Sequence, residues 1–457
     1  MTDTLLTFVR VSDEDFEEFA RRAPRMNFLQ LPAYVRAKRQ AGTRVELVGV
    51  LDSSDGKGRL VATGALIFQP WKRAFSVAKL IFGPTLIDPA GEQALDVQRV
   101  FYEGLTAWLR RERRVLSVEL VPPVLRNSYD DVTLLGETAE GLATEGLLAE
   151  LGARRVEREP SEDPSIQAHF TYTKDISGMS FEEVVASTSA QVRRAFGKWR
   201  KNGVHVDFLP PERVDVLQSV LVATAERTSM DEHIASDSMT DYYRDLGREL
   251  GKGKAIFPVA TLHTAEALAD IEAELAQVSQ KLEALQGQIE ALQEPIEALQ
   301  EPGREQGQVR EQGQVRGPSK KQKNQLNQLE TQLRALERRR DETAAIRAEH
   351  GDEVVLAASM FIHSPNELLF LTSGAFAEYN SLYGIYLIHR RMLEWAVDNG
   401  VKWYNFWGIE ADFSPESDGG GVLKFKRHFN GFVEEYLGTY DLAVRPKLAR
   451  WLGAVRA

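Results

Sequence analysis

The stretch Leu268-Ala-Asp-Ile271-Glu-Ala-Glu-Leu275-Ala-Gln-Val278-Ser-Gln-Lys-Leu282-Glu-Ala-Leu285-Gln-Gly-Gln-Ile289-Glu-Ala-Leu292-Gln-Glu-Pro-Ile296-Glu-Ala-Leu299 carries an apolar residue at alternating steps of three and four. That spacing keeps one narrow seam on a helix, the pattern of a coiled coil rather than the wider stripe of a core helix. A second series, Leu326, Leu329, Leu333 and Leu336, follows a polar, Gly-containing break. Two seams joined by a polar turn predict an antiparallel hairpin arm. The seam alone also fits pairing between two copies of the chain, which would make the arm a dimerisation device on a scaffold.

Charge fits the hairpin. Residues 265–302 hold nine acids and one lysine, whereas 319–349 hold eight basic residues and five acids. The contrast favours antiparallel pairing of the two helices. The turn end is basic: Arg304, Arg310, Arg316, Lys320, Lys321 and Lys323 stand against Glu305 and Glu311. Pro295 should kink the first helix. Within it LEALQGQ, IEALQEP and IEALQEP repeat every seven residues. A straight helix over 265–302 would reach about 55 Å, a length suited to a macromolecule rather than a metabolite.

On both sides of the arm the chain reads as α/β protein. Helices are expected at Asp13 to Arg22 and Pro32 to Gln40. Strands follow at Val45 to Leu51 and Leu60 to Phe68 around the turn Asp-Ser-Ser-Asp-Gly-Lys-Gly. Gly91 to Glu112 is amphipathic, and Val115 to Leu120 is a strand. The order repeats with a strand in His169-Phe-Thr-Tyr-Thr-Lys-Asp-Ile176, a helix from Ser180 to Asn202 closed by Gly203, and a strand from Val204 to Phe208. Helices at 213–229 and 240–250 lead to a strand at Ala255 to Leu262 and then the arm. Beyond the arm come a hairpin (Val354 to Ile362 and Glu367 to Thr372), a helix from Tyr383 to Asn399, and an aromatic strand from Trp403 to Trp407. Two similar α/β units, the second split by the arm, are the expected architecture.

Composition narrows the chemistry. The 457 residues include no cysteine, which removes disulfides, thiolate metal sites and thiol nucleophiles. The eight histidines are scattered, with no i, i+4 pair beside a carboxylate, so no metal is expected. No Gly-rich phosphate loop of the mononucleotide or dinucleotide type is present, so no cofactor is expected. The acidic N-terminus lacks signal-peptide character and no segment is long and apolar enough to cross a bilayer, which points to the cytoplasm. The net charge of −11 argues against wholesale polyanion binding but leaves room for local cationic patches.

Several segments could carry chemistry. Arg193, Arg194 and Lys198 accompany Phe196 and Trp199 on one expected helix, which could contact phosphate or could equally bury an apolar face and solvate its cations. Lys38 closes a helix, where a cation also complements the dipole. Arg227 sits at another helix end and has Glu226 and Asp231 as candidate ion-pair partners. Trp403 to Ile409, then a polar loop and Leu423 to Gly431, combine aromatics, Gly408 and Lys426 as a ligand mouth or a core edge would.

Phe28-Leu-Gln30, Phe82-Gly83-Pro84, the Ser189-x-x-x-Arg193-x-x-x-x-Lys198 helix, Tyr386 to Trp395, Tyr404-Asn-Phe-Trp-Gly-Ile409 and Phe425-Lys426-Arg-His-Phe429 together resemble the Fem family of non-ribosomal peptidyltransferases. The resemblance runs in order along nearly the whole chain. It implies an α/β fold of two GNAT-like domains with an inserted antiparallel coiled-coil arm, similar to the tRNA-contacting arm of seryl-tRNA synthetase. The implied divisions are 1–165, then 166–262 with 351–428, the arm at 263–350, and a segment 429–457 packing back on the first domain.

The implied activity is aminoacyl transfer from aminoacyl-tRNA to the stem-peptide amine of a peptidoglycan precursor, lipid II or UDP-MurNAc-pentapeptide. The precursor would draw the protein to the inner face of the membrane. The resemblance makes Lys426 a stabiliser of the oxyanion or the tRNA terminus, and Trp407 and Gly408 part of the substrate site. It makes Lys38 and Arg227 grips on precursor phosphates and Asp88 a carboxylate near the acceptor peptide. Arg193, Arg194, Lys198, Lys320 and Lys321 become candidate tRNA contacts. Two departures stand out: the run Gly83-Pro-Thr-Leu-Ile-Asp88 is one residue longer than the family pattern, and Asn405 replaces the usual Asp. A GNAT-type acyltransferase with another donor is the alternative enzyme.

Overall fold

The computed structural model describes residues 6–54, 56–72, 74–156, 169–199, 203–228, 232–291, 318–414, 417 and 419–455. The strands in chain order are β1 (Leu6–Arg10), β2 (Arg44–Asp52), β3 (Arg59–Trp71), β4 (Phe75–Ile81), β5 (Thr85–Leu86), β6 (Val115–Val121), β7 (Leu125–Asp130), β8 (Thr133–Glu137) and β9 (Arg154–Val156). Then come β10 (Phe170–Asp175), β11 (Val204–Leu209), β12 (Ala255–His263), β13 (Glu353–Ser364), β14 (Glu367–Ala375), β15 (Trp403–Ile409), β16 (Phe432–Tyr436) and β17 (Thr439–Ala443).

They form two sheets. One runs β1-β2-β3-β4-β6-β17-β9 with β5 beside β3; the other runs β11-β12-β13-β14-β15-β10-β16-β7-β8. Each sheet has one parallel pair, β4 with β6 and β14 with β15. Each pair is joined by a long amphipathic helix, Ala94–Arg111 in the first and Gly384–Asp398 in the second. An antiparallel meander followed by one helical crossover occurs twice, which is the duplication read from the sequence, carried out in mixed sheets.

The sheets do not divide the chain at the expected boundaries. Strands β7 and β8, assigned by sequence to the first unit, extend the second sheet through β16. The segment from 429 is shared, since β16 joins the second sheet while β17 lies between β6 and β9 in the first. The expected helix from Ser180 to Asn202 is two helices, Phe181–Ala186 and Ala190–Phe196. Ser180 caps the first with Glu183 in a reciprocal box, and Ser189 caps the second, so the serines that break the run supply both starts.

The arm occupies the β12–β13 connection. His263 and Glu353, the last and first residues of those strands, are register partners. The helix Thr264–Ala291 leaves and Lys320–His350 returns. Its 28 residues make the outgoing helix about 42 Å long. Ile271, Val278 and Leu336 are buried in the seam with Leu275, Leu329 and Leu333 against them, so the two series pair within one chain. Asp352 fastens the base by accepting from the Ala265 amide at 2.7 Å and the Thr264 hydroxyl at 3.0 Å. Gly203 lies beneath the first turn, where a Cβ would come within 2.7 Å of the Ala267 nitrogen. The expected kink at Pro295 and the basic turn at Arg304, Arg310 and Arg316 lie outside the described residues.

Candidate functional site

The helix Gly420–Arg427 buries Gly420, Leu423 and Lys426, residues three apart on one face, against the second sheet. Lys426 is 4% exposed. Its Nζ donates to the carbonyls of Gly408 at 2.5 Å and Trp407 at 3.3 Å. Burial pushes the ammonium down to about 7, because no carboxylate compensates the lost hydration. Behind it, His389 is fully buried among Phe361, Phe406, Phe425 and Phe429 with Nδ1 2.8 Å from the Tyr404 hydroxyl. Burial, with the Lys426 charge adding to it, takes that imidazole down to about 3 and keeps it neutral.

Trp407 lies within β15, where its register against β10 shifts, with φ +64, a conformation a bulky residue holds only when its surroundings impose it. Its ring packs against Phe28 at 5.7 Å and Phe82 at 6.5 Å between centroids, both from the N-terminal half of the chain. Its amide donates to the Asn405 side-chain oxygen at 2.7 Å. Asn405 in turn donates to Glu367 at 3.0 Å. An Asp could accept from Trp407 but could not donate to Glu367, so this departure from the family pattern has a local physical reason.

Glu367 is one of two buried carboxylates bridged by Arg25. The guanidinium donates to Glu367 at 3.0 Å and, in a fork, to Glu434 at 2.6 and 2.9 Å. Thr173 and Thr171 donate to Glu434 at 2.6 and 3.3 Å. Burial alone would raise the Glu434 carboxyl; the Arg25 charge and these hydrogen bonds outweigh it and hold the group below its ordinary value. A connected polar path therefore runs from Arg25 through Glu367 and Asn405 to the backbone that holds Lys426. Sequence reading missed Arg25, Glu367 and Glu434: they come from a loop and two strands far apart in the chain, and no spacing links them.

The other expected site residues fall in separate places. Lys38, half-buried on the helix Pro32–Gln40, lies 5.2 Å from the Tyr34 ring centroid and 5.3 Å from that of Tyr242. Burial lowers its ammonium, and among the described residues it has no acidic partner. Arg227 follows the helix Val214–Ala225, is exposed, and has no side-chain ion pair among the described residues. Asp88 is exposed just past β5, and no hydrogen bond or ion pair joins it to Lys426. Arg193 donates to the Ala186 and Thr188 carbonyls at the corner between the two short helices and, like Arg194 and Lys198, is exposed. Lys320 and Lys321 are exposed in the first turn of the returning arm helix.

The comparisons with known proteins agree with one another. "Aminoacyltransferase FemA" of Staphylococcus epidermidis is 24% identical over 438 residues, 95% of either chain. Its Staphylococcus aureus counterpart is 22% identical over 439 residues, 95% of this chain and 94% of the relative. The crystal structure of FemX superposes with a TM-score of 0.72 at 16% identity, over 97% of this chain and 99% of the other, and so shares the two-sheet fold. The FemAB family pattern matches residues 11–455, and with nearly the entire length accounted for, the chain belongs to the FemAB family.

Proposed function

We propose that this chain is an aminoacyltransferase that moves an amino acid from an aminoacyl-tRNA ester to the stem-peptide side-chain amine of a peptidoglycan precursor, lipid II or UDP-MurNAc-pentapeptide. The observation that carries the reading is Lys426, buried without a carboxylate and held by the Trp407 and Gly408 carbonyls. The names of the FemA relatives support the same class of reaction along 95% of the chain.

The chemistry asks for little beyond alignment and charge stabilisation. The acceptor amine, deprotonated, forms a C–N bond to the ester carbonyl carbon, and the carbonyl electron pair collects on oxygen. When that pair returns, the C–O bond to the ribose breaks and the ribose oxygen takes up a proton, while the new amide sheds one. Two of the three Nζ donors of Lys426 are committed to carbonyls, and the third is left for the oxyanion. Lys38 and Arg227 grip precursor phosphates, a point charge and a fork. Asp88 serves the acceptor peptide, and the arm with Lys320 and Lys321, together with Arg193, Arg194 and Lys198, meets the tRNA. With a lipid-linked acceptor the protein works at the inner face of the membrane.

The test is transfer of labelled glycine, serine or alanine from charged tRNA to either precursor by the purified protein. Product with one donor fixes reaction and donor together. No product with any donor and either acceptor overturns the reading.

A further inference from the structure

We propose that the surface built from the C-terminal helix Pro446–Trp451, the strand ends at Trp71, Lys72 and Phe75, and the Arg110–Arg114 turn docks on an anionic lipid bilayer. These segments, distant in sequence, are bonded into one face. The Trp71 indole donates to the Leu452 carbonyl at 3.2 Å and the Ser117 hydroxyl to the Ala454 carbonyl at 2.9 Å. Arg445 donates to the Arg110 carbonyl at 2.9 Å, and the Ser76 amide to the Arg114 carbonyl at 2.9 Å. Beneath them Val77, Leu116, Ala449 and Ala454 form a small core of their own.

The outside of this face is cationic and aromatic. Lys72, Arg110, Arg111, Arg113, Arg114, Lys447 and Arg450 are exposed, and none has an acidic partner among the described residues. The one acid of the Arg110–Arg114 turn, Glu112, is paired with Arg44 at 3.3 Å, and residues 443–455 contain no acid at all. Such a concentration is out of proportion in a chain of net charge −11. In its midst Trp451 is 77% exposed, more than any other large hydrophobic side chain of the described residues. An exposed indole on the same short helix as exposed Lys447 and Arg450 suits the headgroup region, where Trp partitions and each Lys or Arg gains from anionic lipid.

The inference goes beyond the transfer reaction, although it rests on the proposed lipid-linked acceptor for its purpose. No helix among the described residues is long and apolar enough to cross a membrane, so such an acceptor must be met from the surface. The cationic start of the returning arm helix, at Lys320 and Lys321, belongs to the second sheet's insertion and leaves this first-sheet face unassigned.

The experiment is sedimentation of the full chain with phosphatidylcholine vesicles, with and without phosphatidylglycerol, in the absence of donor and acceptor. Binding is expected only with phosphatidylglycerol, and should fall as salt rises. It should weaken roughly fivefold for each charge removed, so Lys447→Glu with Arg450→Glu should abolish it and Trp451→Ala should weaken it several-fold. Lys320→Glu with Lys321→Glu should leave it intact. No binding to anionic vesicles, binding equally strong without phosphatidylglycerol, or undiminished binding by the Lys447/Arg450 variant overturns the proposal. So does loss of tRNA binding with vesicle binding retained in that variant, which would make the face a nucleic-acid surface. All these side chains are exposed, and an unchanged melting curve certifies each variant. Because vesicles are read without chemistry, failure here and failure of transfer are separate results.

Discussion

The Asn405 side-chain oxygen accepts the Trp407 amide at 2.7 Å, and this bond ties a buried ionic cluster to the carbonyls that hold Lys426. Asn405→Ala removes that acceptor and leaves Glu367 short of a donor, at a cost of about 1–3 kcal/mol. The released Trp407 backbone should shift Lys426, lowering kcat by roughly tenfold to a hundredfold with little change in KM for precursor. Equal losses in both constants would mean that Asn405 acts on binding instead.

Asn405→Asp is the sharper variant. It places a third carboxylate beside Glu367 and Glu434 with Arg25 the cation facing them, so the new carboxyl should have its pKa raised. A folded-state pKa above the unfolded one means that the native state binds the extra proton, so stability falls as pH rises between the two values. Melting temperatures of this variant and the parent should be closest near pH 4 and diverge toward pH 8. A pH-independent difference would show that the site accommodates the charge.

Arg25 supports both carboxylates from the N-terminal part of the chain. Arg25→Met should cost about 3–5 kcal/mol, since two buried charges lose their counter-ion. With Arg25 present, Glu434 has a lowered carboxyl and contributes stability above its unfolded pKa, lost only as pH falls through the lowered value. Without Arg25 the burial effect dominates and the sign inverts, so the variant's deficit should be larger at pH 8 than at pH 5. Chemical denaturation at the two pH values decides the point.

Which parts of this arrangement the sequence made legible follows from range. The arm seam and the Asp52-to-Gly58 turn are written in residues that interact within a few positions and could be read directly, whereas the equally local Ser189 cap was passed over inside the single helix expected from Ser180 to Asn202. Strands β7, β8, β16 and β17 were missed because their placement depends on pairing across sheets: β16 and β17 are separated by two residues yet join different sheets. Lys426, Trp407 and Gly408 were singled out together because they lie in two motifs that follow one another closely in the chain. Arg25 and Glu367, 342 positions apart, meet only in the fold. Asn405 looked like a lost carboxylate until its second partner was seen.

Lys426 should impose a pH signature on both stability and activity. Its pKa falls from about 10.4 in the unfolded chain to about 7 in the native protein. The unfolded state therefore binds more protons between those values, and the burden on stability is full below pH 7 and relieved as pH rises toward 10. Lys426→Met should thus gain most, relative to the parent, at pH 6 and least at pH 10. Lys426→Ala should reduce transfer by roughly 10²–10³, and its residual kcat/KM should lack the decline above pH 7 that deprotonation causes in the parent. A decline that persists in the variant would assign that limb to another group.

Because His263 and Glu353 are register partners, residues 264–352 can be replaced by an Asn-Gly turn, whose type I′ geometry suits a two-residue hairpin. The arm's seam residues pack on one another, and the body loses only base contacts: Ala267 and Ile346 against its core, Glu266 to His205 at 2.7 Å, and His350 against Tyr379. The shortened chain should therefore unfold cooperatively with a melting temperature near the parent's. It should bind precursor normally yet transfer poorly from intact charged tRNA, and recover relative to the parent when the donor is a minimal aminoacylated acceptor stem. A monomer–dimer change on arm removal, with transfer from intact tRNA unaltered, would instead make the arm an assembly device, contrary to the intramolecular seam of Ile271, Val278 and Leu336.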